Sequence, residues 1–274
     1  MKIAVWSPTE FAGRKSSNLL IFAMQAIARN GGEQLVIHTD AKGSGPEHFL
    51  LGGRYRTRMI KQKEFGVELL CKMMHCRRFT KEMAVNAAYS FAEGKLHVLP
   101  PGNTSFYEKG KEGVKELCGL IRCAGDLFRN VWIELPAGEN ELSRELISAV
   151  DCVLVSFAQS PHEITKLETA ANLKNAFYLV GAYEQRNIFS LNNLCLLHPF
   201  LRGKSGVVPY DAGFFAACCT GEAEAFLMRG FGSDRGDSSF FHTVEKSYLK
   251  WEKGVNGYDA ETVEKKTEGE PAGI

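Results

Sequence analysis

The sequence predicts an α/β fold whose mostly parallel sheet is covered by helices on both faces, and three observations predict it. Short strand-like runs recur along the chain with helical segments between them. Several of these runs are near-continuously apolar, which suits strands buried on both sides. Chemistry-bearing residues follow the runs directly, and in open parallel sheets ligands bind beyond the carboxyl ends of the strands.

The runs occupy residues 2–6, 34–39, 96–99, 131–135, 152–157, 177–181 and 206–208. After the first of them, LLIFAMQAIA reads as a helix. Late in the chain, Phe241, Val244, Tyr248 and Trp251 recur at helical spacing with lysines on the other side. That helix packs on the sheet or lies on a membrane. Residues 41–63 combine four glycines, a proline and many cations, which predicts a mobile loop. From Gly254 the chain is almost without apolar content, so residues 1–253 are expected to form one domain and 254–274 a disordered tail.

At 274 residues the chain can bury a sizeable core. Its 33 Lys and Arg nearly cancel its 32 Asp and Glu, leaving a formal charge of +1 and no global electrostatic case for nucleic acid or membrane. No apolar stretch reaches the length of a membrane span, and a strand pattern stands where a leader would begin, so a cytoplasmic location is expected. The eight cysteines lie mostly inside apolar periodic segments and read as small core residues. Cys218 and Cys219 read as the buried face of a helix. His75 between Cys71 and Cys76 matches no usual zinc spacing.

Four segments stand where chemistry belongs: SPTEFAGRKSSN, HTDAKG, ELPAGEN and PYDAGF. A phosphate-cradling loop needs glycines for close backbone approach, a lysine for the outer phosphates and a hydroxyl for magnesium. In SPTEFAGRKSSN, Lys15 and Ser16 fill the last two roles if Arg14 replaces the preceding glycine. If Gly13 is that glycine, Arg14 replaces the lysine and Lys15 falls where the hydroxyl belongs; neither register is complete. Asp40 binds magnesium through water or orients an attacking water, or else caps a helix or forms a turn. Glu134 stands where a nucleotide hydrolase carries its magnesium-holding aspartate. The run Arg54, Arg56, Arg58, Lys61, Lys63 is either a solvated loop or a contact for nucleic acid or an acidic lipid surface.

These segments, with LHVLPPGN and VVPYD at their places, resemble the MinD/ParA family of deviant P-loop ATPases, most closely its TadZ/CpaE-like branch, over about residues 1–250. The resemblance implies a P-loop NTPase-like sheet, ATP and Mg2+ as cofactors, and a homodimer closed around nucleotide. It also implies docking on DNA, a membrane surface or another protein, here pilus or secretion machinery, with peripheral location at the inner face of the membrane. Carried over, Gly13, Arg14, Lys15, Ser16 and Ser17 form the phosphate loop, and Ser16 and Glu134 hold the metal. Asp40 and Glu134 serve hydrolysis, and Pro209, Tyr210 and Asp211 border the adenine. In the Lys15 register, Glu10 replaces the family's signature lysine, Phe11 and Ala12 replace paired glycines, and His38 replaces the first of two aspartates. A carboxylate about 5 Å from a phosphate charge costs on the order of 3 kcal/mol at an effective dielectric near 20. The expectation is therefore a degenerate Walker A loop with weak or no hydrolysis, the alternatives being an active ATPase with a rewired loop or a DNA-binding partition protein.

Overall fold

The computed structural model describes residues 1–9, 14–40, 45–53, 65–76, 78–101, 110–232 and 239–267, with side chains to Val255. Gly13, Glu10, Phe11, Ala12, the basic run from Arg54 to Lys63 and residues 268–274 lie outside these.

Eight strands form one sheet in the order β3-β4-β2-β5-β1-β6-β7-β8. They are β1 (Lys2–Trp6), β2 (Gln34–His38), β3 (Tyr89–Phe91), β4 (Leu96–Leu99), β5 (Asn130–Glu134), β6 (Cys152–Phe157), β7 (Ala176–Tyr183) and β8 (Ser205–Pro209). All neighbours pair in parallel except β3 with β4. Strand β3 has no counterpart among the predicted runs: three residues with Ser90 exposed between two buried aromatics give too short a signal.

The period of two along each strand feeds two cores. From β1 and β5, Ala4, Trp6, Val131 and Ile133 point to one face, where helices Val67–Met74, Lys111–Gly125 and Glu141–Ser148 bring Leu70, Leu117, Leu120, Ile121 and Leu146. Ile3, Val5 and Trp132 point to the other. There they meet α1 (Lys15–Asn30) and the C-terminal helix Ser239–Thr267. Helices on both faces follow from strands that are apolar on both sides.

The late helix packs on the sheet through Phe240, Val244, Tyr248 and Trp251, all buried. Trp251 stacks near Trp132 at 5.6 Å and Phe22 at 5.9 Å between ring centroids. Ser247 donates to Val207 O and accepts from Val207 N at 2.8 and 2.9 Å. A Cβ on Gly206 would stand 2.8 Å from Ser247 Cβ, so glycine permits this approach. The backbone of this helix runs to Thr267. The run AETVEKK within it consists largely of residues that favour helix.

Among the described residues no helix is long and apolar enough to cross a membrane. All eight cysteines are free thiols. Cys219 is exposed and Cys218 only partly covered, which corrects their reading as a buried helix face. They do sit on a helix, α2 (Ala212–Thr220), but it buries only Phe214 and Ala217.

Candidate nucleotide site

Strand β1 delivers the chain to the carboxyl edge of the sheet, and α1 starts from Arg14. Arg14 adopts φ 53°, ψ 30°, the left-handed conformation that glycine takes freely. A side chain there costs on the order of 1 kcal/mol. Its own side chain gives α1 no cap, and the first turn of α1 has no acidic residue. The carbonyl of Arg14 instead accepts from Ser17 Oγ at 2.9 Å and, in the helical ladder, from Asn18 N at 2.9 Å.

Lys15 and Ser16 turn inward to the ends of β2 and β5. The Lys15 amine stands 3.4 Å from Asp40 Oδ2 and 3.8 Å from Glu134 Oε1, and donates to the carbonyl of Leu135. Ser16 Oγ donates to Glu134 Oε1. Glu134 is 1% exposed and faces His38 across the β2–β5 register. Burial pushes the Glu134 carboxyl above its ordinary value, against the nearby charges of His38 and Lys15 that favour ionisation. Thr39 Oγ1 and Thr39 N both bond the carbonyl of Glu134, at 2.7 and 3.1 Å, which fixes the turn after β2 onto the end of β5.

Beside this group lies a buried pair that the sequence does not announce. His38 Nδ1 is 2.9 Å from Glu47 Oε1, and the two side chains are 1% and 0% exposed. Burial pulls the His38 pKa down, but Glu47 and then Glu134 raise it further, and the net shift is upward. Burial pushes Glu47 up, and His38 outweighs it, so its net shift is downward. Both shifts are in the direction that favours the charged forms, imidazolium and carboxylate. A Cβ on Gly45 would meet His38 Nδ1 at 2.2 Å, so only glycine lets the chain close over the pair.

Arg14, Lys15, Ser16, Ser17, Asp40, Glu134, Pro209, Tyr210 and Asp211 all line one cavity of about 870 Å3. The structure thus brings together every site residue named from the sequence that falls within the described residues. Their roles differ. Asp211 caps α2, its Oδ1 accepting from Phe214 N at 2.8 Å, so this carboxylate is already engaged by the backbone. Tyr210 is half exposed, with its ring 6.5 Å from that of Phe215. The outer wall that sequence reading missed comes from Phe49, Phe214, Phe215, Cys218 and Cys219. Burial raises the Cys218 thiol to about 12, so it stays neutral. The only advance signal for this wall was a helix, AGFFAACCT, without a charged residue.

Solved structures share this architecture. A ParA family ATPase from Chlorobium tepidum TLS superposes with a TM-score of 0.68 at 10% identity, over 90% of this chain and 98% of that one. A plasmid partition protein from Borrelia burgdorferi B31 bound to AMPPNP gives 0.57 at 12% identity, over 94% and 98%. MinD from Pyrococcus horikoshii OT3 complexed with Mg-ADP gives 0.56 at 10% identity, over 92% and 94%. The chain has the ParA/MinD fold. No protein-family model matches its sequence, and no curated protein matches it by sequence.

In a ParA/MinD fold the cavity sits at the place where strand ends and the first helix meet, and its donor set can be tested against a magnesium nucleotide. A hydroxyl (Ser16) and a carboxylate (Glu134) are the oxygen ligands that a hard divalent cation takes. Among the described residues Glu134 Oε2 has no hydrogen-bond partner, and this buried acceptor is left over at the cavity floor. Lys15 and the uncapped start of α1 supply positive charge for phosphate. The residues present fit the group.

His75, flanked in sequence by Cys71 and Cys76, faces Glu116 at 3.3 Å instead. Among the described residues no three His, Cys, Asp or Glu side chains form a metal cluster.

Proposed function

We propose that this chain is a MinD/ParA-like P-loop protein that binds Mg-ATP weakly in the 870 Å3 cavity, hydrolyses it slowly or not at all, and serves as a localisation or assembly factor for a tad-type pilus or secretion apparatus. One observation carries the nucleotide part: Lys15, Ser16 and Glu134 converge on the floor of that cavity, at the start of α1. The solved ParA/MinD structures described with AMPPNP and Mg-ADP support the same reading.

The weakness has a physical source in the same contacts. Lys15 is already held by Asp40, Glu134 and the Leu135 carbonyl, so a phosphate gains only the difference between its own attraction and theirs. Burial disfavours the ionised Glu134 that a cation would need, and Ser16 already occupies its Oε1. Ser16 and Glu134 would hold Mg2+, which when bound supplies positive charge to the phosphate oxygens. Asp40, 3.4 Å from the Lys15 amine and lining the same cavity, would orient water. A homodimer closed around nucleotide, as the MinD/ParA resemblance implies, is part of this proposal.

The pilus role rests on the resemblance of KIAVWSPTEFAGRKSSN, LHVLPPGN and VVPYD to the TadZ/CpaE-like branch. Phosphate release under saturating Mg-ATP tests the enzymatic half. Turnover far below the roughly 1–1000 s−1 of ordinary enzymes is expected. Turnover within that range, abolished in Lys15→Ala, would establish the active ATPase with a rewired loop instead. Imaging of a fluorescent fusion tests the other half: polar or focal localisation with loss of pili on deletion is expected, and diffuse signal with normal pili would end the assignment.

A further inference from the structure

Arg14 pays a conformational penalty that the glycine of an ordinary phosphate loop does not, holding φ 53° immediately before Lys15. Its guanidinium carbon stands 5.7 Å from the centroid of the Phe215 ring. Arg14 comes from the start of α1 and Phe215 from α2, and both line the cavity that holds Lys15, Ser16 and Glu134. The side chain is therefore extended toward the aromatic wall. A second, independent feature points to a ligand here: Glu134, almost wholly buried, lines the cavity with Oε2 unpartnered among the described residues.

We propose that Arg14 is a second phosphate-binding cation of this cavity, supplied by the same chain and stored on the Phe215 ring until the nucleotide arrives. The inference rests on the nucleotide reading of the cavity and goes beyond it by assigning the residue that recognises the outer phosphates. A cation over a half-exposed phenyl ring is weakly held, whereas a guanidinium on a phosphate forms paired charge-assisted hydrogen bonds. The exchange accordingly runs toward the phosphate. Lys15 is tied to Asp40 and Glu134, so a neighbouring cation held, among the described residues, by an aromatic face is the one with charge to give. A side chain kept at a strained backbone position then has a use that offsets its cost.

Calorimetric titration of the full chain with Mg-ATP and Mg-ADP tests the assignment in wild type, Arg14→Gly, Arg14→Lys and Phe215→Leu, with the thermal midpoint of each free protein. For Arg14→Gly the thermal midpoint is expected to stay level or rise, because glycine takes the left-handed conformation freely. Mg-ATP binding by the same variant weakens about tenfold or more, and Mg-ADP binding weakens less. Arg14→Lys retains part of the preference for ATP, and Phe215→Leu, which frees the guanidinium, binds Mg-ATP at least as tightly as wild type. Mg-ATP affinity unchanged or increased in Arg14→Gly would overturn the assignment and make Arg14 a plug. Absence of binding by wild type and every variant at millimolar nucleotide would overturn the nucleotide reading itself, and this inference with it.

Discussion

The two ends of the cavity are built by opposite means. At the inner end, Lys15, Ser16, Asp40 and Glu134 form a charge-dense group fixed to the ends of β2 and β5, with the His38–Glu47 pair behind it. At the outer end, Tyr210, just before α2, and Phe215 and Cys219 on that helix present their side chains to solvent. The inner end is specified by backbone register, since His38 and Glu134 are paired residues of adjacent strands. The outer end is specified by a capped helix, α2, that lies over a cluster of Phe214, Phe226 and Phe240 with centroids 5.7–6.2 Å apart. Substitutions inside should therefore cost stability and binding together, while substitutions outside should leave stability nearly untouched.

The largest stability effect belongs to Glu47→Ala. Removing one member of a buried charged pair leaves the other uncompensated, and the expected loss is about 3–5 kcal/mol in denaturant unfolding. A loss below about 1 kcal/mol would show that the pair is not charged in the folded protein.

The pH dependence carries the same comparison with defined signs. The His38 shift is upward from 6.5, so its contribution is fully present below 6.5 and disappears as pH rises through the higher folded-state value. The Glu47 shift is downward from 4.5, so its contribution is present above 4.5 and disappears as pH falls through the lower folded-state value. The stability difference between wild type and Glu47→Gln should thus be greatest between 4.5 and 6.5 and shrink on either side. Glu134, shifted upward from 4.5, has the opposite sign for a carboxylate: it loses stability as pH rises from that value. Glu134→Gln should flatten that part of the curve.

Ser16→Ala removes a hydroxyl that donates to Glu134 and would hold magnesium. We expect roughly tenfold weaker dependence of nucleotide binding on Mg2+, with about 1 kcal/mol lost from the free protein. The smallest effect is at the outer wall. Tyr210→Ala, at 53% exposure, should change stability by no more than about 0.5 kcal/mol, so any change in nucleotide affinity reports on the ligand and not on folding.

Much of the fold was legible because seven strands are short apolar runs, as in VLVSF or QLVIH, between amphipathic or polar segments. Strand β3 was not, since its three residues pair antiparallel at the sheet edge and carry little periodic signal. In the site, Asp40 and Glu134 were legible from their places at the ends of strand-like runs, and Lys15 and Ser16 from the cation- and hydroxyl-bearing stretch between the first strand and the first helix. The His38–Glu47 pair was not, because it forms only when Gly45 folds the chain back over β2. The apolar sequence of α2 suggested burial for Cys218 and Cys219, whereas tertiary placement at a cavity mouth exposes that face. Arg14 looked like a defect in a glycine loop, yet its backbone keeps the glycine conformation.

Whether the cavity of Lys15, Ser16 and Glu134 binds a magnesium nucleotide decides between a working site and an inherited shell. Equilibrium dialysis of wild type and Lys15→Ala against Mg-ATP reads this out directly. Saturable binding by wild type, weakened severalfold to about tenfold in Lys15→Ala, is the predicted result. Binding that is equal in the two proteins, or absent from wild type at millimolar nucleotide, would contradict it.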